Sequence, residues 1–303
     1  MKLLAIGLAV LSAVALAIGS QLQNGAVGIQ KKAALSGRSH FTFRQLLDLI
    51  RHPQWVTGLF ISIIALVLQF TALLLAPLIL VQPIGAIALV LTSVINSRIT
   101  KTPLNAASIY AILLCTLGLG AFVVMAHEVA VEPAIDDQAL IYILSLVASL
   151  IAVGLVVQFR GANNFKPLTF IVGAGVLFGF VATLTKVVLK RLFSQGGFDR
   201  IIGLKFEPVT DGLTMAAVVC LIAAGLLGGW FVQNAYTSGP PDLVVAGLTV
   251  IDPLVAVSIG VVVLNEAMNA SVPIMFGFVA SGLVAVIGVY LLSKVHPQVT
   301  KAN

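Results

Sequence analysis

The sequence predicts an all-α, polytopic membrane protein with about nine transmembrane helices arranged in two related halves. Of its 303 residues, 59% are hydrophobic and only 9% are charged, and the mean hydropathy is +1.11. Soluble domains carry about 25% charged residues, so most of this chain must face lipid rather than water. Nine apolar stretches are each long enough to cross a hydrocarbon core of about 30 Å.

Turn-forming residues such as Pro77 and Pro273 separate these stretches. We expect one integral membrane domain over residues 1–303, with four spans in a first half, 1–126, and five in a second half, 138–293. The predicted spans are 3–22, 55–76, 78–97, 104–126, 138–158, 168–190, 212–234, 242–264 and 272–293.

The first predicted span has a second interpretation. Met1 and Lys2 precede an apolar run that ends near Gly19, which is also the pattern of a cleaved signal peptide. The run is longer than a usual signal core, and Gln21 and Gln23 continue it without an obvious mature domain. We therefore expect a membrane helix here, with cleavage as the alternative.

The distribution of Lys and Arg predicts the orientation of the bundle, because cytoplasmic loops are enriched in these residues. The 23–54 loop is basic, whereas the loop between the fourth and fifth spans holds Glu128, Glu132, Asp136 and Asp137 without a Lys or Arg. This pattern predicts a plasma (inner) membrane protein with its N-terminus outside and its C-terminus in the cytoplasm. The positive charges of the 191–211 loop are the exception.

Two segments of the chain share an order of features. In both 68–85 and 232–254, a helix ends in a glutamine-containing polar step, a proline-marked turn follows, and a second helix carries a polar residue before proline. Those pairs are Gln82-Pro83 and Asp252-Pro253. Transporters built from two related halves often interrupt helices at corresponding positions near the substrate site, so we expect an internal duplication.

Segment 68–85, LQFTALLLAPLILVQPIG, resembles the drug/metabolite transporter superfamily of EamA-like permeases, and within it is most similar to the NIPA-type magnesium-transporter branch. Segment 179–186, GFVATLTK, resembles the stretch that opens a superfamily repeat. Segment 252–266 resembles the helix with the superfamily's polar-Pro and Gly-Glu signature. The resemblance implies a helical bundle that moves solutes across the membrane.

Asp252 is the deepest carboxylate of the predicted spans. Pro253 beside it removes a backbone donor and crowds the preceding turn, which frees carbonyl groups. A buried carboxylate next to freed carbonyls can bind a cation or a proton, so we predict that Asp252 and Pro253 bind the substrate or ion, and that Asp252 is the ligand if a metal ion is carried. A structural acid paired with a neighbouring helix is the alternative.

A stripe of small and polar residues follows one face of the sixth predicted span. Gly175, Gly179, Thr183, Lys186 and Lys190 recur at spacings of three and four, which places them on one side of a helix. The glycines would admit another helix at close range, and the polar end would then line a cavity. A lysine that extends to the lipid headgroups is the alternative.

The depth of Lys186 indicates its partner. Lys186 and Asp252 differ by about eight positions in depth, or roughly 12 Å along the membrane normal at 1.5 Å per residue. Glu266, just beyond the end of the helix that carries Asp252, matches Lys186 better. We therefore predict that Lys186 pairs with Glu266 and forms an outer gate with it and Thr183, while Asp252 stays available deeper in the membrane.

Uncharged amides complete the predicted binding set. Gln69, Gln82, Gln233 and Asn234 are expected within the membrane, and Pro83 follows Gln82. Such amides suit recognition of a polar solute through hydrogen bonds. Each of them alone also fits a hydrogen bond between helices, which is worth about 0.6 kcal/mol.

Several motifs typical of other classes of protein are missing from the sequence. The sequence has no P-loop and no His/Cys metal-ligand cluster, no basic stripe typical of nucleic-acid binding, and no apparent nucleophile–base pair. We therefore expect neither an enzyme nor a bound cofactor. Membrane lipid and a small-molecule or ion substrate are the expected partners.

Three functions fit these observations. The leading hypothesis is a secondary transporter of the drug/metabolite class that moves a small polar solute by alternating access. The alternative is a NIPA-like magnesium transporter. A second alternative is a scaffold or accessory subunit of a cell-envelope pathway, which would use the amphipathic 43–52 segment. The sequence leaves open the substrate, the coupling ion, the direction of transport and the oligomeric state.

Overall fold

A computed structural model describes residues 1–33, 52–85, 105–159, 167–194, 208–238 and 241–295, with isolated helical positions between 87 and 98. This part of the chain contains nine α-helices and no strand, which confirms the all-α prediction. The helices are α1 (Lys2–Ala33), α2 (Pro53–Leu75), α3 (Leu78–Gly85), α4 (Ala106–Val129), α5 (Asp137–Phe159), α6 (Pro167–Ser194), α7 (Pro208–Ser238), α8 (Pro241–Val262) and α9 (Val272–Val295).

Seven of these helices are long and apolar enough to cross a membrane, so the expected count of nine spans is not confirmed. Only eight residues of α3 lie in the described part of the chain. The apolar part of α8 among the described residues is Gly247–Val262, which is shorter than a membrane span. The chain is a polytopic helical membrane protein, as predicted.

Several helices extend beyond the predicted spans. The first helix was expected to end near residue 22, but α1 continues to Ala33 through a polar and basic stretch. Likewise, α7 runs over Pro208–Ser238 rather than 212–234. Apolar composition marks the part of a helix that lipid covers, whereas polar residues with adequate helix propensity continue the helix into the interface.

Small side chains bring α1 and α2 together in an antiparallel pair. Buried alanines recur every fourth residue along α1, from Ala5 to Ala17. The Ser12 hydroxyl donates to the Ala65 carbonyl at 2.8 Å, and a Cβ at Gly19 would lie 2.9 Å from the Gly58 carbonyl. Close packing of this kind replaces the hydrophobic effect as the cohesive force between helices in lipid.

Glycines also bring α8 against α6, as the sequence predicted. A Cβ at Gly175 would lie 2.7 Å from the Ile251 side chain, and one at Gly179 would lie 2.6 Å from Val255. The contacts advance by four residues on both helices, so α6 and α8 run parallel in a constant register. This register carries the C-terminal end of α8 toward the C-terminal end of α6.

The helix is interrupted between α2 and α3, and the interruption lies inside the bundle. Ala76 is extended, with φ −150° and ψ 159°, because the residue before a proline is excluded from the helical region. Pro77 then accepts the first backbone bonds of α3, from Leu80 and Val81. Residues 76–84 are all buried, so this break lies in the interior of the bundle.

Two further sets of contacts hold the other helices in the bundle. Helix α4 packs closely along α9, while α5 packs on α7 and α6. A Cβ at Gly118 of α4 would lie 2.6 Å from the Ala285 backbone nitrogen, and one at Gly288 would lie 2.4 Å from that of Cys115. Backbone therefore contacts backbone along the α4–α9 pair.

We predict that Gly118→Ala destabilises the protein by about 1–3 kcal/mol, because the added methyl group must push the α9 backbone away. Gly120→Ala is the matched control on the same helix, since a Cβ there meets nothing within 4 Å and alanine is a better helix former than glycine. Thermal unfolding of both variants in detergent checks this prediction, and equal midpoints would contradict it.

Candidate functional site

Glu266 is folded back onto the end of α8 by the turn that follows this helix. Asn265 has a positive φ of 54°, which asparagine tolerates better than most residues. The Glu266 backbone nitrogen then donates to the Gly260 carbonyl at 2.9 Å. A Cβ at Gly260 would lie 2.8 Å from Glu266 Oε2, so this glycine provides the space for the carboxylate.

The Glu266 carboxylate caps the N-terminus of α3, which lies 188 residues earlier in the chain. Its Oε1 accepts from the Leu78 backbone nitrogen and its Oε2 from that of Ile79, each at 2.9 Å. The first amides of a helix have no partner within the helix and carry partial positive charge. A carboxylate at this position therefore accepts hydrogen bonds from these amides, and its negative charge is attracted to their partial positive charge.

Lys186 completes this arrangement, which confirms its predicted pairing with Glu266. Its Nζ lies 2.7 Å from Glu266 Oε1 and donates to the Ala76 carbonyl at 3.1 Å. Both side chains are almost fully buried, with exposed fractions of 2% and 1%. We call this pair, together with its bonds to Ala76, Leu78 and Ile79, the lock, and the end of the bundle where it lies the lock end.

An extended segment crosses over the lock between α4 and α5. We call residues 130–136 the crossover segment. The Val131 backbone nitrogen donates to the Glu266 carbonyl at 2.8 Å. Glu132 Oε1 lies 3.3 Å from Lys186 Nζ and 3.1 Å from Lys190 Nζ. The four side chains of this cluster, two lysines and two glutamates, carry no net charge.

A second ion pair lies just beyond the crossover segment. Arg191 at the end of α6 pairs with Asp137 in the first turn of α5. The guanidinium is buried, and its Nε and Nη1 have no hydrogen-bond partner within the described part of the chain. This pair attaches α5 to the same end of α6 that carries Lys186.

The polar end of the α6 stripe is buried, and the cavity described below does not include it among its lining residues. Thr183 is fully buried and donates to the Gly179 carbonyl of its own helix at 2.9 Å. Lys186 is enclosed by its oxygen partners. The close approach of α8 that the glycines permit also closes the space that the polar residues were expected to face.

Asp252 lies near the middle of α8 and is half-buried. Its Oδ1 is shielded from solvent and has no hydrogen-bond partner in the described part of the chain. Asp252 was predicted not to pair with Lys186. The partners of Lys186 are Glu266, Glu132 and Ala76. Asp252 is therefore a half-buried carboxylate with one shielded oxygen that has an unused acceptor, and its charge is costly there unless a proton or a cation neutralises it.

A cavity of about 70 Å³ lies among α3, α4, α8 and α9. Pro83 and Pro253 both line it, so the prolines within α3 and α8 face one space. The rest of the lining is apolar apart from Thr249.

Unlike the two prolines, Asp252 and the other predicted binding residues with described side chains are not among the residues that line this cavity. Gln82 is buried on α3, Gln69 is half-buried on α2, and the Asn234 amide donates to the Trp230 carbonyl of its own helix at 2.8 Å. Gln233 lies within α7, but its side chain is outside the described residues. The sequence therefore identified polar positions of the bundle, but the structure does not bring them together around one hollow.

Glu132 and Ala76 contribute to the lock, and sequence reasoning missed both. Glu132 was expected in a solvated acidic loop, and a main-chain carbonyl such as that of Ala76 has no sequence signal. One signal was present for the acidic loop: the predicted orientation placed it on the same side as Lys190 and Arg191. Opposite charges at one end of a bundle favour pairing.

The described residues contain no group of three or more His, Cys, Asp or Glu side chains that would hold a metal ion. A cation at Asp252 would therefore depend on one carboxylate, main-chain carbonyls and water. The amphipathic 43–52 segment, which the scaffold hypothesis would use, lies outside the described residues except for His52.

Comparison with known proteins gives a family. The family model described as "Magnesium transporter NIPA" matches residues 2–192. An uncharacterized protein of Corynebacterium glutamicum is 27% identical over 222 residues, which are 73% of this chain and 72% of that protein. No solved structure matches the chain.

Two relatives from Arabidopsis thaliana carry a printed function. The probable magnesium transporter NIPA4 is 25% identical over 221 residues, 68% of this chain and 62% of that protein. The probable magnesium transporter NIPA1 is 33% identical over 84 residues, 27% of this chain and 25% of that protein. The matched part is thus less than two thirds of these plant proteins. The matches support a transporter rather than an enzyme.

We predict that Lys186→Met lowers the free energy of unfolding by about 3–5 kcal/mol, because it leaves the buried Glu266 carboxylate without its cation. The double variant Lys186→Met/Glu266→Gln is expected to regain part of this loss, since it buries no unpaired charge. Unfolding in detergent measures both values. Glu128→Gln, at an exposed position, is the control, with an expected change within about 0.5 kcal/mol. A Lys186→Met variant as stable as this control would contradict the prediction.

Proposed function

Because the chain belongs to the NIPA magnesium transporter family, we propose that it carries Mg²⁺ across the membrane as a secondary transporter, with Asp252 as the carboxylate that binds the ion. The family match covers more than half of the chain. The observation that carries the assignment to Asp252 is its buried oxygen without a partner, beside Pro253 in the middle of α8.

The chemistry of Mg²⁺ fits a site with few protein ligands. The ion loses its waters reluctantly and is usually bound through one or two carboxylates while it keeps several waters. Asp252 supplies one carboxylate, whose Oδ1 has no hydrogen-bond partner in the described part of the chain. A hydrated ion would bind here through one direct or water-mediated carboxylate contact, which does not require a cluster of acids.

The distribution of exposure supports a bundle closed at the lock end. Residues 76–84 are all buried there, whereas every residue from 247 to 253 of α8 is partly accessible. Because α8 starts at the opposite end of the bundle, the accessible stretch lies on the far side of Asp252 from the lock. In an alternating-access cycle the lock end would open while the opposite end closes.

The break between α2 and α3 and the turn between α8 and α9 are the parts that would move in this cycle. The lock bonds α6 and the α8–α9 turn to the break between α2 and α3, so closure at this end joins the two predicted halves. Opening requires Lys186 to leave the Ala76 carbonyl. The predicted orientation makes the lock end the outer end in a plasma (inner) membrane, with the C-terminus in the cytoplasm, and Lys186, Glu266 and Thr183 the outer gate.

The transport assay is the direct test. Full-length protein in liposomes that contain a Mg²⁺-sensitive dye is expected to take up Mg²⁺, and Asp252→Asn is expected to reduce uptake at least about tenfold, because the amide removes the charge that attracts the ion. Glu128→Gln is the matched charge-removal control. Uptake by Asp252→Asn equal to that of the control would remove Asp252 from the mechanism. Uptake of a polar organic solute instead of Mg²⁺ would return the function to the drug/metabolite class in general.

Ligand-dependent stability tests the binding step separately. A ligand that binds only the folded state raises the unfolding free energy by RT ln(1 + [L]/Kd), or about 2.7 kcal/mol at a hundredfold excess over Kd. We expect Mg²⁺ to raise the unfolding temperature of the wild-type protein in detergent, and Asp252→Asn to abolish the increase. An increase that persists in Asp252→Asn would place the ion elsewhere.

A further inference from the structure

The crossover segment makes two different kinds of contact with the lock. Val131 bonds to the Glu266 main chain, and this bond fixes the path of the segment across the α8–α9 turn. Glu132 instead uses its side chain, which lies between Lys186 and Lys190. The first contact depends on backbone geometry alone, whereas the second depends on charge.

The ion pairs differ in how strongly they are held. The Lys186–Glu266 contact is sealed, with both side chains at least 98% buried. The Glu132 side chain is 28% exposed. Ion pairs in contact with water are weak and are screened by salt, whereas buried pairs are costly to break. Glu132 is therefore the member of the cluster that can leave its partners most easily.

We propose that the crossover segment is a lid over the lock and that Glu132 is the latch that holds it closed. The role of the lid in a transport cycle rests on the proposed function, whereas the experiment that tests the lid does not require transport. With the lid in place, Lys186 has three oxygen partners, from Glu266, Ala76 and Glu132. Release of Glu132 removes one of them and uncovers the lysine, which is the first step in separating α6 from the α2–α3 break.

The position of Thr183 allows the lid to be tested without a transport assay. Thr183 is fully buried one turn deeper than Lys186 on the same helix, or about 4.5 Å below it. In a background with Cys115→Ala and Cys220→Ala, the variant Thr183→Cys carries a single thiol beneath the lock. A membrane-impermeant maleimide reaches this thiol from the lock end only when the lid and the lock open.

The experiment measures the rate of maleimide labelling in lipid nanodiscs at low and high salt. Adding Glu132→Gln is expected to raise the rate about threefold to fivefold over the Thr183→Cys parent, as loss of a partly exposed ion pair would, while adding Glu128→Gln leaves it unchanged. Because the Debye length falls from about 8 Å at 0.15 M to about 3 Å at 1 M salt, high salt is expected to accelerate the parent but not the Glu132→Gln variant. Unfolding temperatures confirm that both variants are folded.

Two results would overturn the proposal. In one, Glu132→Gln labels at the same rate as Glu128→Gln. In the other, 1 M salt accelerates the Glu132→Gln variant as much as it accelerates the parent, so that the effect of salt does not act through Glu132. The outcome is separate from the proposed function, because accelerated labelling by Glu132→Gln in a protein that moves no Mg²⁺ in liposomes would support the lid while refuting the cargo.

Discussion

The contact between the Glu266 carboxylate and the first two amides of α3 is the constraint on which the lock end of the bundle depends. A helix that begins in a water-poor interior must have its first amides satisfied, because each unpaired group there costs several kcal/mol. Here the acceptor comes from the far end of the chain. The buried carboxylate in turn requires a cation, and Lys186 provides it.

These requirements link distant segments in a fixed order. Pro77 ends α2 and starts α3 inside the bundle, which creates the unpaired amides. Gly175 and Gly179 let α8 lie parallel and close to α6, so the turn after α8 arrives beside Lys186. Gly260 leaves space for the carboxylate to fold back. Local backbone chemistry at a few small or cyclic residues thus determines where a long-range ion pair forms.

The sequence predicted the parts of this arrangement that depend on periodicity and depth. Helical spacing identified the glycine face of α6, and a count of residues along two helices identified Glu266 as the partner of Lys186. Glu132 was missed because an extended segment has no periodicity that indicates where its side chains point. Ala76 was missed because it contributes its main-chain carbonyl. That carbonyl is available where the helix is interrupted between α2 and α3, and its position does not depend on the alanine side chain. The helix ends were misplaced where polar residues continue a helix beyond its apolar part, as in α1.

A lysine close to the path of a cation would oppose transport unless its charge were cancelled. Two unit charges about 12 Å apart, the depth difference expected between Lys186 and Asp252, interact by about 1.4 kcal/mol at an effective dielectric constant of 20. That is a tenfold effect on the occupancy of Asp252. Glu266 and Glu132 neutralise Lys186 and Lys190 within the cluster, so Asp252 meets an approaching ion with its own negative charge uncompensated. The neutral charge of this cluster therefore matters for both the fold and the proposed site. Its bonds close one end of the bundle, and its cancelled charges exert little electric field at Asp252, the carboxylate that is proposed to bind the ion.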